Sequence, residues 1–162
     1  MTKAQFIVRP LTAADHDWVA RRTAESWGAE TVVVHQTVYR PAELPGFIAE
    51  AEGEIAGLLT YHVKDEACEI VTLDAWRAGL GVGTALIEAA KQAAGEEKCR
   101  RLWLVTTNDN TAALRFYQKR GFVLSALRPN AIAGSRKVKP EIPLIGMDGI
   151  PIRDEIELEM RL

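Results

Sequence analysis

Residues 73–86 read LDAWRAGLGVGTAL, and the reading of the whole chain turns on them. An apolar run from Glu69 to Leu73 enters the stretch as a strand, and Gly79, Gly81 and Gly83 then turn the backbone. A helix opens directly from that turn, from about Gly83 to Ala94. Glycine allows a tight turn and leaves no side chain between backbone N–H groups and a ligand. The first amides of a helix have no intrahelical acceptor, and the helix dipole makes that end electropositive. Strand, glycine turn and helix start therefore form a cradle for phosphate.

Downstream of this stretch, Leu102–Thr106 is a compact β-rich run. Asn110 stands as the N-cap of a helix through Arg120, and Gly121 sits where a left-handed C-cap belongs. Phe122–Leu127 reads as a strand, and Ile156, Leu158, Met160 and Leu162 alternate with polar neighbours as in a half-buried strand. Upstream, Phe6–Arg9 is a short strand stopped by Pro10, and Thr12 with Asp15 forms an acidic capping box for a helix to about Trp27. Residues 28–45, with Gly28, Pro41 and Pro45, read as loop with a short helical turn. A Glu-Gly-Glu turn at 52–54 joins Phe47–Glu50 to Ile55–Val63 as a hairpin, and Glu66–Leu73 follows as a strand. The segment 128–151 carries four prolines and three glycines, and is expected to be ordered because Ile142, Leu144, Ile145 and Ile150 need burial. A hairpin meander before two strand–helix–strand units gives an α+β fold, one mixed sheet with helices on both faces.

The chain has 162 residues, about one domain, and 48% of them are hydrophobic. A formal net charge of −2 supplies no basic field for nucleic acid. No run is long enough to span a bilayer, and the charged N-terminal stretch lacks the apolar core of a signal peptide, so a cytoplasmic protein is expected. Cys68 and Cys99 have neither CxxC nor metal-ligand spacing and read as two reduced thiols; no metal site is expected.

Taken alone, Gly-Leu-Gly-Val-Gly-Thr is not a Walker P-loop, because Gly-Lys-Ser/Thr is absent. It is a poor dinucleotide fingerprint too, since Thr84 replaces the third glycine and no acidic ribose partner follows at the usual distance. About 25 residues beyond the turn, however, stands Asn110-Thr-Ala-Ala113-Leu-Arg-Phe-Tyr117-Gln-Lys-Arg-Gly121-Phe122. The pair of motifs, in this order, resembles the GCN5-related N-acetyltransferase (GNAT) superfamily, closely over 45–127. The resemblance implies a mostly antiparallel sheet of six to seven strands and a single acetyltransferase domain over 1–162. It further implies acetyl-CoA as acyl donor, with its pyrophosphate on the amides of Gly79, Leu80, Gly81, Val82, Gly83 and Thr84. Leu73, Asp74 and Ala75 match the splayed strand end that pairs with the pantetheine arm, and an amide there is expected to polarise the thioester carbonyl. By the same resemblance, Asn110 holds the cofactor arm, and Tyr117 protonates the departing thiolate. The chain departs from the pattern at Ala78, where Gln or Arg is usual, with Arg77 one step early, and at Ala75, where proline is usual. Neither change removes a backbone amide.

An aliphatic amine is mostly protonated at neutral pH, so transfer to nitrogen calls for a base. Glu69, on the strand feeding the turn, is the first candidate; histone-acetylating relatives place a Glu two residues upstream, at Ala67 here. Asp74 or a water chain are the alternatives, and His16, His35 and His62 read as structural or exposed. Arg128, Arg136, Lys137 and Lys139 read as a solvated loop, with guidance of an acidic substrate or the CoA 3′-phosphate as the second reading. The acidic residues of 153–159 read as the polar side of the last strand. The acceptor is a small-molecule amine or a protein or peptide amine, and many relatives pair as homodimers. A non-catalytic acyl-CoA-binding module of the same fold is the alternative function.

Overall fold

Side-chain alternation along the strands divides the apolar residues between two faces of one sheet. The computed structural model describes residues 5–77 and 79–162. The order is β1 (Phe6–Pro10), α1 (His16–Trp27), β2 (Val32–Val34), β3 (Thr37–Tyr39), β4 (Gly46–Ala51), β5 (Glu54–Lys64) and β6 (Ala67–Ala75), then α2 (Val82–Glu96), β7 (Arg101–Thr107), α3 (Thr111–Lys119), β8 (Val123–Arg128), α4 (Ala131–Val138) and β9 (Glu155–Arg161). Seven strands pair as β1-β4-β5-β6-β7-β9-β8, and β2 and β3 pair separately. Every pairing in the large sheet is antiparallel except β6 with β7. This is the expected mixed, mostly antiparallel sheet with helices on both faces.

On one face, Ala49, Leu59, Cys68, Ile70, Leu102, Leu104 and Leu158 meet Leu86, Ile87 and Ala90 of α2 and Tyr117 of α3. On the other, Ile48 and Leu58 meet Val19 of α1, and Val71 meets Val32 and Val34 of β2. Between Tyr61↔Ile70 and Thr60↔Thr72 the register slips, so Val71 is an extra residue bulged out of β6. The Thr60 and Thr72 hydroxyls bond at 2.6 Å just beyond it.

Three expectations need correction. Residues 28–45 hold the β2–β3 hairpin, whose turn places His35 and Gln36 at positive φ in the two-residue form that suits strand twist. The segment 128–151 contains α4, and two of its four apolar residues, Leu144 and Ile145, are exposed, Leu144 at 70%. The helix α2 runs on through Gly95 to Glu96. No helix among the described residues is long and apolar enough to cross a membrane.

Close approach of α2 to the sheet depends on Gly57, where a Cβ would stand 2.6 Å from Val82 Cγ1 and 2.9 Å from Leu86 Cδ1. Gly57→Ala is therefore expected to destabilise the fold by roughly 1–3 kcal/mol, seen as a lower denaturant midpoint. A midpoint equal to that of the parent protein contradicts this packing.

Candidate active site

The site begins where two parallel strands part. β6 and β7 pair only at Ala67↔Arg101, Cys68↔Leu102 and Glu69↔Trp103, while β5 accompanies β6 to Ala75. The Trp76 amide donates to the Ala56 carbonyl at 2.8 Å, toward β5. Backbone groups alternate sides along a strand. The amides of Leu73 and Ala75 consequently face the opening that β7 has left. Asp74 lies between them; burial raises its pKa, against the pull of Arg22.

The glycine turn closes one end of this opening. Gly79 and Gly81 have φ of +80° and +78°, and a Cβ at either would meet nothing within 4 Å. Their outer side is open. The first helical bond of α2 runs from the Ala85 amide to the Gly81 carbonyl at 3.0 Å, so the amides of Val82, Gly83 and Thr84 lack helical acceptors. The Val82 side chain is buried, and a Cβ at Gly83 would stand 2.8 Å from Phe116 Cζ, so both residues can offer a ligand only backbone. Leu80 packs against the core. Ala78 lies outside the described residues. One contact eluded the sequence reading: Arg120 Nε donates to Thr84 Oγ1 at 2.9 Å while its guanidinium lies 3.5 Å from the Phe116 ring centroid. It ties the start of α2 to the end of α3.

Asn110 Oδ1 accepts from the Ala113 amide at 3.1 Å, capping α3 as expected. Tyr117 is buried edge-on between Phe116 and Phe122, with ring centroids at 5.2 and 5.4 Å. Burial, with the Asp74 charge adding to it, pushes its phenol well above the ordinary value, so it keeps its proton at neutral pH. Glu69 is only 4% exposed. The Tyr39 hydroxyl donates to its Oε2 at 2.9 Å, and its Oε1 has no partner. Burial raises its pKa to about 7, partly offset by the Tyr39 bond.

Beside the opening lies a cavity of about 670 Å³, walled by Val34, Val71, Val105, Ile132 and Met147, with Asn110, Lys139 and Glu155 among its polar groups. Its outer loop is pinned by buried Asp109, which accepts from the Met147 amide at 3.0 Å and from the Thr107 hydroxyl. Two readings change here. The acidic side of β9 is not a solvated face: Glu155 is buried against Ser135 of α4 and His35 of the β2–β3 hairpin, and Glu157 against Arg101, Ser125 and Arg128. Nor do Arg128, Arg136 and Lys139 lie on a solvated loop; of the four basic residues only Lys137 is exposed. Arg136 donates to the carbonyls of Ile142, Pro143 and Ile152, Arg128 pairs with Glu157 at 3.0 Å, and Lys139 is buried, its Nζ donating to the Thr31 carbonyl at 2.7 Å.

A model of the acetyltransferase (GNAT) family matches residues 12–122. The chain belongs to that family. The GNAT match spans the glycine turn, the parted strands and α3 alike. YxbD of Bacillus subtilis (strain 168) is 42% identical over 154 residues, 94% of this chain and 97% of that protein. Among solved structures, an IAA acetyltransferase from Bacillus cereus ATCC 14579 superposes with a TM-score of 0.71 at 18% identity, covering 98% of this chain and 100% of that one. A GNAT family acetyltransferase from Elizabethkingia anophelis with acetyl-CoA bound gives 0.69 at 23% identity, covering 97% and 98%.

The carboxyl of Glu69 gives this site a measurable signature. Because its folded pKa lies above the ordinary 4.5, the native state holds an extra proton between the two values. That contribution to stability is complete below 4.5 and lost as pH rises through about 7. Glu69→Gln should therefore gain stability relative to the parent protein on going from pH 5 to pH 8 in denaturant titrations. Tyr39→Phe, which removes the lowering bond, should move the Glu69 carboxyl titration upward by NMR; a titration near 4.5 in either protein contradicts the burial described.

Proposed function

We propose that this chain is one acetyltransferase domain over 1–162 that moves an acetyl group from acetyl-CoA to a primary amine by direct attack in a ternary complex. The parting of β6 from β7 carries this reading. It leaves the Leu73 and Ala75 amides unpaired beside a helix N-terminus on one side and an acceptor-sized cavity on the other. The residues present suit acetyl-CoA. Amides of Gly79, Gly81, Val82, Gly83 and Thr84 would receive the pyrophosphate, and the free edge of β6 would pair with the pantetheine amides. The Asn110 amide group, its oxygen engaged in capping, has its N–H donors left for the arm.

Bound acetyl-CoA supplies an activated acyl group on a thiolate leaving group. The chain's residues do the rest. The Leu73 amide donates to the thioester oxygen as negative charge develops there. Glu69, with one free oxygen and a pKa of about 7, takes a proton from the entering ammonium, directly or through water. Tyr117, held protonated, gives a proton to the departing sulfur and is reprotonated by the second proton that the nitrogen sheds as the amide forms. Holding both reactants in one opening supplies the remaining acceleration through proximity.

Tyr117→Phe is expected to lower kcat by roughly 10²–10⁴-fold with acetyl-CoA affinity almost unchanged. Thiol release across a panel of amines measures the first, and calorimetric titration the second. For the parent protein kcat/KM should rise with pH through about 7, and Glu69→Gln should lose that limb. Full turnover in Tyr117→Phe removes it as the acid. Thiol release with no amine in the panel removes the transferase reading.

A further inference from the structure

Two buried charges of opposite sign line the cavity without pairing to each other. Lys139, 6% exposed, spends one of three N–H donors on the Thr31 carbonyl and pairs with no carboxylate among the described residues. Glu155, 2% exposed, receives the Ser135 hydroxyl on Oε1 at the limiting distance of 3.5 Å, and its Oε2 has no hydrogen bond. The imidazole of His35, on the half-exposed hairpin tip, has its Nδ1 3.8 Å from that oxygen. Chain geometry keeps the two apart yet close. The Lys139 amide donates to the Ser135 carbonyl at 2.8 Å, so Lys139 stands one helical turn, about 5.4 Å, beyond the serine that touches Glu155.

A buried ammonium and a buried carboxylate each cost several kcal/mol unless paired and hydrogen-bonded. If stability alone were served, the two would meet across the cavity. Instead both are held at its wall with bonding capacity left over, among valines that suit an apolar body. A ligand carrying one charge of each sign satisfies both. We propose that the acceptor is an amino carboxylic acid with an apolar side chain, its carboxylate paired with Lys139 and its ammonium drawn in by Glu155. This inference rests on the transferase reading for its chemistry, but not for its binding.

The test uses leucine and two truncated probes: isoamylamine, which lacks the carboxylate, and 4-methylpentanoic acid, which lacks the amine. Phenylalanine, phenethylamine and 3-phenylpropanoic acid form a second set. Each is titrated calorimetrically into the whole protein, with and without CoA, and offered as acceptor with acetyl-CoA. At least one amino acid should bind about tenfold or more tighter than both of its truncated forms. Lys139→Met should erase its advantage over the amine, and Glu155→Gln its advantage over the acid. An amine that binds as tightly as its amino acid, an advantage that persists in Lys139→Met, or no binding of either amino acid overturns the proposal. If the variants do not fold, the comparison in the parent protein decides alone. Selective binding without thiol release from acetyl-CoA would defeat the transferase reading and leave this site standing. Equal KM for isoamylamine and leucine would defeat this inference and leave the transferase reading standing.

Discussion

Two parallel strands that pair for three residues and then separate govern the rest of this molecule. A parallel pair buried inside a sheet would ordinarily continue, because each unpaired buried amide costs free energy. Here β6 keeps its hydrogen bonds to β5 and β7 keeps its bonds to β9, so the opening is made between two ribbons that are each complete on their outer side. The bulge at Val71 falls where the parting begins. Such irregularities bend a strand and raise its local twist. The opening is thus a property of sheet pairing.

Everything assigned to chemistry is arranged around that opening by separate devices. Gly57 and Gly83 let α2 lie close to β5 and to Phe116, which fixes the helix start at the end of β6. Arg120 fastens α3 to the same helix start. Asp109 holds the loop that closes the cavity, from the residue next to Asn110. The glycine turn, the opening and the cavity therefore share one frame. Glu69 is the less exposed of the two carboxylates on β6, and its cost in stability is what a group tuned toward neutral pH requires.

The proposed donor half of this site could be read from sequence because it consists of backbone conformations that only certain residues allow. Gly79 and Gly81 sit at positive φ, and Asn110 caps its helix, as their spacing required. The proposed acceptor half was not legible. β2 and β3 are three residues each, and their turn uses His35 and Gln36 where Asn-Gly would have been a signal. The helix α4 is eight residues long, holds Gly134, and starts after Asn130 in a left-handed conformation with no side-chain cap. Nothing in its sequence stands out from the proline-rich segment around it. Missing these two covering elements led directly to misreading β9. A strand with alternating glutamates looks solvated until one knows that a helix and a hairpin lie against its Glu155. The exposure of Leu144 and Ile145 has the same root, since the loop that carries them is held through Asp109 and Arg136 rather than by apolar burial.

The central claim is that the free edge of β6 is the place where the acyl donor binds. Hydrogen–deuterium exchange of the Leu73 and Ala75 amides, resolved by NMR with and without acetyl-CoA, tests it most directly. The account predicts fast exchange at both in the free protein, beside slow exchange at Asp74, whose amide faces β5. Saturating acetyl-CoA should protect Leu73 and Ala75 together with the amides of Val82, Gly83 and Thr84. Slow exchange at Leu73 and Ala75 in the free protein, or no change on adding acetyl-CoA, would contradict it.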